Sequence, residues 1–305
     1  MNTEDNLCEK IKEICINQLT KAIEGNGHYK AKYVKEKDSS EKIKKYNSTK
    51  EYARSHIETL LLPDEYENYD DIFRRLLISG QNRHMMPRVI GFMQRKDCFE
   101  QALWGLKYVE IAKEYQIANE HTEKELLLRL KNYISEINND SIENSRSLWR
   151  VYAKFIIKAA LFMQKYPGKE VFFTHKLPKN FALHNDIMQG ISGIGFTLAC
   201  DFLKEIGFDT AKPDLHILAF LNEMYTQQLE AKKNNLRCIL PKNIPLEEAA
   251  AVETMNDLAV QNQCSVYALD KLIWLCCSGN YYSKGDFPGI TVESKSLRDL
   301  FLEKL

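Results

Sequence analysis

The sequence predicts an all-α protein. Three observations carry that reading. Nearly every apolar segment repeats at three- and four-residue spacing, Pro and Gly punctuate the segments, and only Val171-Phe-Phe-Thr174 has the make-up of a short strand, with a loop equally open there. Taken in order, Leu7, Ile11, Ile14, Cys15 and Leu19 mark a first helix. Ser39 or Ser40 is placed to cap a second, running to about Leu62 and stopped by Pro63. Ile72, Leu76 and Leu77 define a third, ending near Ser79-Gly80. Shorter helices follow at about 87–94, 97–105, 107–116 and 122–137. A long one at 144–165 carries Trp149, Tyr152, Ile156, Ala159, Ala160 and Met163 and is closed by Pro167-Gly168. Helices near 183–190, 196–206, 214–225, 245–262, 265–277 and 294–304 complete the set. The gaps 226–244 and 279–293 hold Pro, Gly, Asn and Ser and read as loops.

At 305 residues the chain is long enough for one large or two modest domains. It has no run of about 18 or more apolar residues, so no membrane span is expected, and its polar start lacks the pattern of a secretory signal. The spacing of the eight cysteines matches neither a zinc site nor a four-cysteine iron–sulfur loop. Reduced thiols and an intracellular location, in cytoplasm, nucleoid or nucleus, are therefore expected. The net charge is zero, which counts against a general nucleic-acid binder, yet the charge is unevenly placed. Residues 30–50 carry eight lysines against three acids, residues 64–71 carry five acids and no base, and residues 83–96 include Arg83, Arg88, Arg95 and Lys96. A local basic surface and an ordinary solvated helix face both stay open for the lysine-rich stretch.

The most specific pattern is Gly190-Ile-Ser-Gly193-Ile-Gly195-Phe-Thr-Leu-Ala199, followed by Lys212-Pro-Asp214-Leu-His216-Ile217. Phe196, Ala199, Phe202, Leu203 and Ile206 share one helix face, and Gly207 is placed to end it. Two helices joined by Ser-Gly-Ile-Gly are expected to cross steeply, with Ile194 plugged between them and bare amides turned outward. Glycines leave such amides accessible to a phosphate.

These residues resemble the helix-hairpin-helix DNA glycosylases, the HhH-GPD superfamily. That family pairs a Gly-hydrophobic-Gly hairpin with a catalytic aspartate in a Val-Asp-x-His-like box, and here Gly195 and Asp214 are nineteen positions apart (214 − 195). Phe73-Arg-Arg-Leu-Leu-Ile-Ser79-Gly-Gln81 is similar to the family's early helix ending in Ser-x-Gln. The resemblance spans about residues 70–280. It implies a two-lobed helical fold with the hairpin at a cleft: a segment 1–69 packing with a C-terminal lobe 208–305, a barrel-like helical domain 70–190, and the hairpin at 183–207.

The resemblance also implies roles. Asp214 would stabilise an oxocarbenium-like sugar and orient the attacking water, although it is equally placed to cap the helix that begins at Leu215. Gly193, Ile194, Gly195, Phe196 and Thr197 would hold a DNA phosphate through backbone amides. Gln81 would fill the gap left by an extruded base, with Arg83 beside it. Bifunctional relatives carry an imine-forming lysine where this chain has Thr197, so a monofunctional enzyme is expected. Trp149, Tyr152 and Trp274 are candidates for the base pocket, with core packing open for each. Asp201, Glu205 and Asp209 against Lys204 alone weaken the hairpin's expected grip on phosphate. The expected partner is duplex DNA bearing a damaged or modified base, bound by a monomer away from membranes. The expected cofactor is none, apart from a monovalent cation at the hairpin. A non-catalytic helix-hairpin-helix DNA-binding protein, and a hairpin that only packs helices, are the competing readings.

Overall fold

A computed structural model describes residues 6–25, 46, 48–82, 86–166 and 181–293. The expected strand at 171–174, the caps Ser39 and Ser40, Arg83, the helix at 294–304 and most of the lysine-rich stretch lie outside the described residues. The chain is all-α: fifteen α-helices and a pair of two-residue strands occur among the described residues. No helix there is long and apolar enough to cross a membrane. The chain divides into a mid-chain unit, residues 64–208 and 239–245, and a terminal unit, residues 1–63, 209–238 and 246–305.

The mid-chain unit contains α3 (Tyr69–Gln81), α4 (Met86–Ile90), α5 (Lys96–Ala102), α6 (Tyr108–Glu114), α7 (Glu120–Lys131), α8 (Asn139–Glu143), α9 (Leu148–Met163), α10 (Ala182–Gly190) and α11 (Phe196–Glu205). Helix α9 is buried on most of its circumference and packs against α3, α4, α6, α7, α8 and α10. Its apolar content is why it takes the centre. Two of the surrounding helices begin with capping boxes. Asn68 and Asp71 close a capping box on α3, and Asn119 and Thr122 do so on α7.

Helix α3 runs through Gly80, where the sequence predicts a stop. The reason is packing: a Cβ at Gly80 would lie 2.2 Å from the Phe155 ring of α9. The glycine permits two helices to approach closely and does not terminate either.

The terminal unit holds α1 (Leu7–Gly25), α2 (Thr49–Leu60), α12 (Leu215–Met224), α13 (Thr226–Leu236), α14 (Leu246–Gln261), α15 (Val266–Ser278) and strands β1 (Asn280–Tyr281) and β2 (Ile290–Thr291). Helix α1 packs on α2 and α15, and its start is tied down by the Leu7 amide donating to Asn262 Oδ1 at 2.7 Å. Two expected loops are corrected. Residues 226–236 are helical, because Leu229 and Leu236, two turns apart, are buried and α13 packs along α14. Ion pairs reinforce that contact, with Lys232 at 2.7 Å from Asp257 and Lys233 at 3.3 Å from Glu247. In the second, Asn280 and Tyr281 pair antiparallel with Thr291 and Ile290. All eight cysteines are free thiols.

Candidate functional site

The hairpin belongs to the mid-chain unit and Asp214 to the terminal unit. Helix α10 ends where the Ile191 amide donates to the Ile187 carbonyl at 2.9 Å. Gly193 then adopts φ of +94°, a region closed to most side chains, which reverses the chain. Ile191 and Ile194 are buried in the same core as Leu183, Ile187, Ala199 and Phe202, so the turn is anchored by its isoleucines. Ser192, Gly193 and Gly195 are exposed.

Gly195 is the N-cap of α11 and offers no side-chain cap. The amides of Ser192, Gly193 and Gly195 have no backbone acceptor among the described residues. The hairpin thus presents unsatisfied donors at a helix start, the arrangement that favours an anion. Ser192, Gly193 and Ile194 likewise have carbonyls with no backbone donor among the described residues, and such oxygens suit a hard monovalent cation. No group of three or more His, Cys, Asp or Glu side chains fit for a metal ion occurs among the described residues.

Phe196 contributes only backbone to this surface. Its ring is buried against Phe181 and His184, with centroids 5.3 Å away in both cases. His184 is 2% exposed and neither ring nitrogen has a hydrogen-bond partner among the described residues. Burial pushes its pKa down to about 4. The imidazole is therefore a neutral packing element under the hairpin.

The acids of α11 do not oppose a phosphate as the sequence suggests. Asp201 is buried, accepts from Ser79 Oγ at 2.8 Å and pairs with Arg75 at 3.2 Å. Burial works against the Arg75 charge, but Asp201 and Glu205 outweigh it and hold the guanidinium above its ordinary pKa. Lys204 and Glu205 are also buried, 3.5 Å apart. Lys204 is thus an interior ion-pair partner. Asp209 belongs to the terminal unit, where it accepts from the Tyr267 amide at the start of α15.

Asp214 is the N-cap of α12. One oxygen, Oδ1, accepts from the amides of His216 at 3.0 Å and Ile217 at 3.3 Å. The other, Oδ2, accepts no amide among the described residues and lies 3.8 Å from Lys212 Nζ. The cap fixes the rotamer and leaves Oδ2 for other work. The loop before it is held by the Lys212 amide donating to Asp270 Oδ1 at 2.6 Å.

Around the start of α12 the rings of His216 and Trp274 meet edge to face at 6.4 Å, and Trp274 meets Tyr282 at 6.2 Å. Trp274 and Tyr282 are half-buried. Lys271 Nζ donates to Tyr282 Oη at 3.0 Å. Asp270 and Lys271 are both buried beside this cluster. The signal for them is two charged neighbours inside the apolar run of α15, where burial demands partners.

Three expected contacts are corrected. Gln81 is 6% exposed and its Oε1 accepts from the Phe92 amide at 2.9 Å, so it closes the turn after α3 and does not project as a wedge. Trp149 and Tyr152 are 4% and 0% exposed. Tyr152 Oη donates to the Leu77 carbonyl at 2.9 Å, and both rings belong to the mid-chain core, closed to an extruded base. Arg83 lies outside the described residues.

Comparison of the chain with protein-family models, curated proteins and solved structures gives no match.

Proposed function

We propose that the chain is a monofunctional DNA N-glycosylase with the HhH-GPD fold, acting on a damaged or modified base in duplex DNA. The observation that carries this reading is the division of labour at Asp214. Oδ1 is consumed by the helix cap and Oδ2 has no amide partner among the described residues and lies beside Lys212. The uncapped start of α11 and the exposed Gly193 turn support a phosphate grip.

In the proposed reaction the C1′–N bond breaks and its electron pair leaves with the base, which acquires a proton. The positive charge on the sugar is stabilised by the Asp214 carboxylate. Water adds to C1′ and gives up its proton, leaving an abasic site. Thr197 cannot form an imine, so the strand is not nicked. Trp274 and Tyr282 offer ring faces for an extruded base. The carbonyls of the 192–194 turn would hold a monovalent cation, which would draw a DNA phosphate toward the hairpin.

Asp214→Asn tests this. The variant is expected to bind duplex as the parent does and to release base at least about 100-fold more slowly, as for loss of a group that stabilises the transition state. A second reading, a non-catalytic DNA-binding module, is favoured by the cap alone, since capping accounts for the residue type at 214. It predicts that the parent protein binds duplex and releases no base from any oligonucleotide.

A further inference from the structure

Two of the free thiols, Cys8 and Cys264, lie 256 positions apart in sequence (264 − 8) and belong to the same terminal unit. The start of α1 brings them together. Asn6 Nδ2 donates to the Asn262 carbonyl at 2.7 Å, and the Leu7 amide donates to Asn262 Oδ1 at 2.7 Å. Cys8 follows this clamp by one residue, in the first turn of α1. Cys264 follows it by two, in the connection between α14 and α15, where its amide donates to the Ala259 carbonyl at 3.0 Å. The clamp leaves the two side chains facing each other, and the Cys8 thiol is hydrogen-bonded to Cys264.

The two sulfurs differ in access and in acidity. Cys8 is buried and Cys264 half-buried. The hydrogen bond to Cys264, together with burial, pushes the Cys8 thiol well above the ordinary range. The same hydrogen bond favours the Cys264 thiolate, and it outweighs burial and the charges of Asp209 and Glu9, so the Cys264 pKa is lowered. One thiol is thus reactive and near solvent, with a second one held behind it, the arrangement a redox-sensing pair requires.

We propose that Cys264 and Cys8 form a reversible disulfide that fastens the start of α1 to the α14–α15 connection when the protein meets a hydroperoxide. The Cys264 thiolate attacks a peroxide oxygen, the O–O bond breaks, and Cys264 becomes a sulfenic acid. The Cys8 sulfur then attacks the Cys264 sulfur, the S–O bond breaks, and the hydroxyl leaves as water with the Cys8 proton. The two thiols give up two electrons, and the hydroperoxide that takes them is reduced to water and an alcohol, or to water alone from hydrogen peroxide. A dithiol reverses the step. The link closes a loop of most of the chain and so constrains the unfolded state. It involves no residue of the hairpin or of the Asp214 cap, so it stands or falls apart from the glycosylase reading.

The test takes the full chain, reduced and then freed of reductant, and titrates it with hydrogen peroxide. The protein is alkylated, digested without reduction and read by mass spectrometry. Cys238 is exposed and reports when an ordinary surface thiol begins to oxidise. A Cys8–Cys264 peptide pair, lighter by two hydrogens, is expected before Cys238 is modified, and dithiothreitol should release it. The oxidised protein should unfold at a higher urea concentration than the reduced one. Cys8→Ser should stop Cys264 at a sulfenic acid that dimedone labels, and Cys264→Ser should leave Cys8 unmodified. Should a variant not fold, the parent decides alone: its preference for this pair should vanish when it is oxidised in denaturing urea. Oxidation of Cys264 without linkage to Cys8, a pairing no more frequent in the folded chain than in urea, or an unchanged urea midpoint overturns the proposal.

Discussion

Asp214 and His184 show how differently two titratable side chains can be used. Asp214 keeps one oxygen in a cap and one outside it. A residue that only capped a helix would tolerate Asn or Ser at little cost in stability, since these cap about as well. Asp214→Ser should therefore stay folded within about 1 kcal/mol of the parent while losing base release. His184 does the reverse, contributing volume and no charge. The unfolded chain takes up a proton at His184 near pH 6.5 and the folded chain only near 4. Between these values the unfolded state binds more protons, so stability falls as pH drops from about 6.5 toward 4 and levels below it. The full effect is about 3 kcal/mol at most. Urea unfolding across that window should show a shallower acid decline in His184→Leu than in the parent. Its stability at pH 7 should be equal or higher, because two unpartnered ring nitrogens are removed.

At the scale of elements, much of the helical plan is legible in the sequence, and the departures have physical causes. The hairpin helices and α14 follow from apolar spacing, and α9, α12 and α15 from apolar spacing and the caps Ser147, Asp214 and Ser265, within a few residues. Helix α13 is hidden because only Leu229 and Leu236 face inward, too few to give a period. Gly80 misleads because the reason for it is Phe155, a residue 75 positions away in sequence (155 − 80). Gly80→Ala is expected to destabilise the protein by about 1–3 kcal/mol through overpacking, against a helix-propensity gain of up to about 1. Thermal denaturation reads this directly, and a stabilised variant would refute the contact. In the hairpin, Gly193→Ala forces a Cβ into the left-handed region at a cost of about 1–2 kcal/mol. Duplex affinity should fall with it. The buried Arg150–Glu123 pair makes a third case: Glu123→Ala strands a guanidinium that is 2% exposed and should cost about 3–5 kcal/mol.

For the whole molecule, a net charge of zero hides the distribution that matters. The acids of α11 are spent inside on Arg75, Ser79 and Lys204, which no linear charge count can reveal. The candidate site was legible where the chemistry is local: the Gly-x-Gly turn and the Asp-x-His box each lie in a short run of residues. It was illegible where burial decides, which is why Gln81, Trp149 and Tyr152 fall out. Under the proposed reading, threonine at 197 in place of an imine-forming lysine makes a prediction. Borohydride should trap no covalent protein–DNA adduct, and strand breaks should appear only after alkali. A borohydride-stable adduct would show that another amine, Lys212 being the one beside Asp214, has taken the role.

The most direct test is single-turnover base release. Duplex oligonucleotides carrying alkylated purines, oxidised guanine, uracil or other modified bases would be incubated with the parent and with Asp214→Asn, then cleaved with hot alkali to reveal abasic sites. At least one modified base should be released by the parent and retained by Asp214→Asn despite undiminished duplex binding. Equal release by both proteins, or none by the parent across the panel, would contradict the assignment of Asp214 as the catalytic carboxylate.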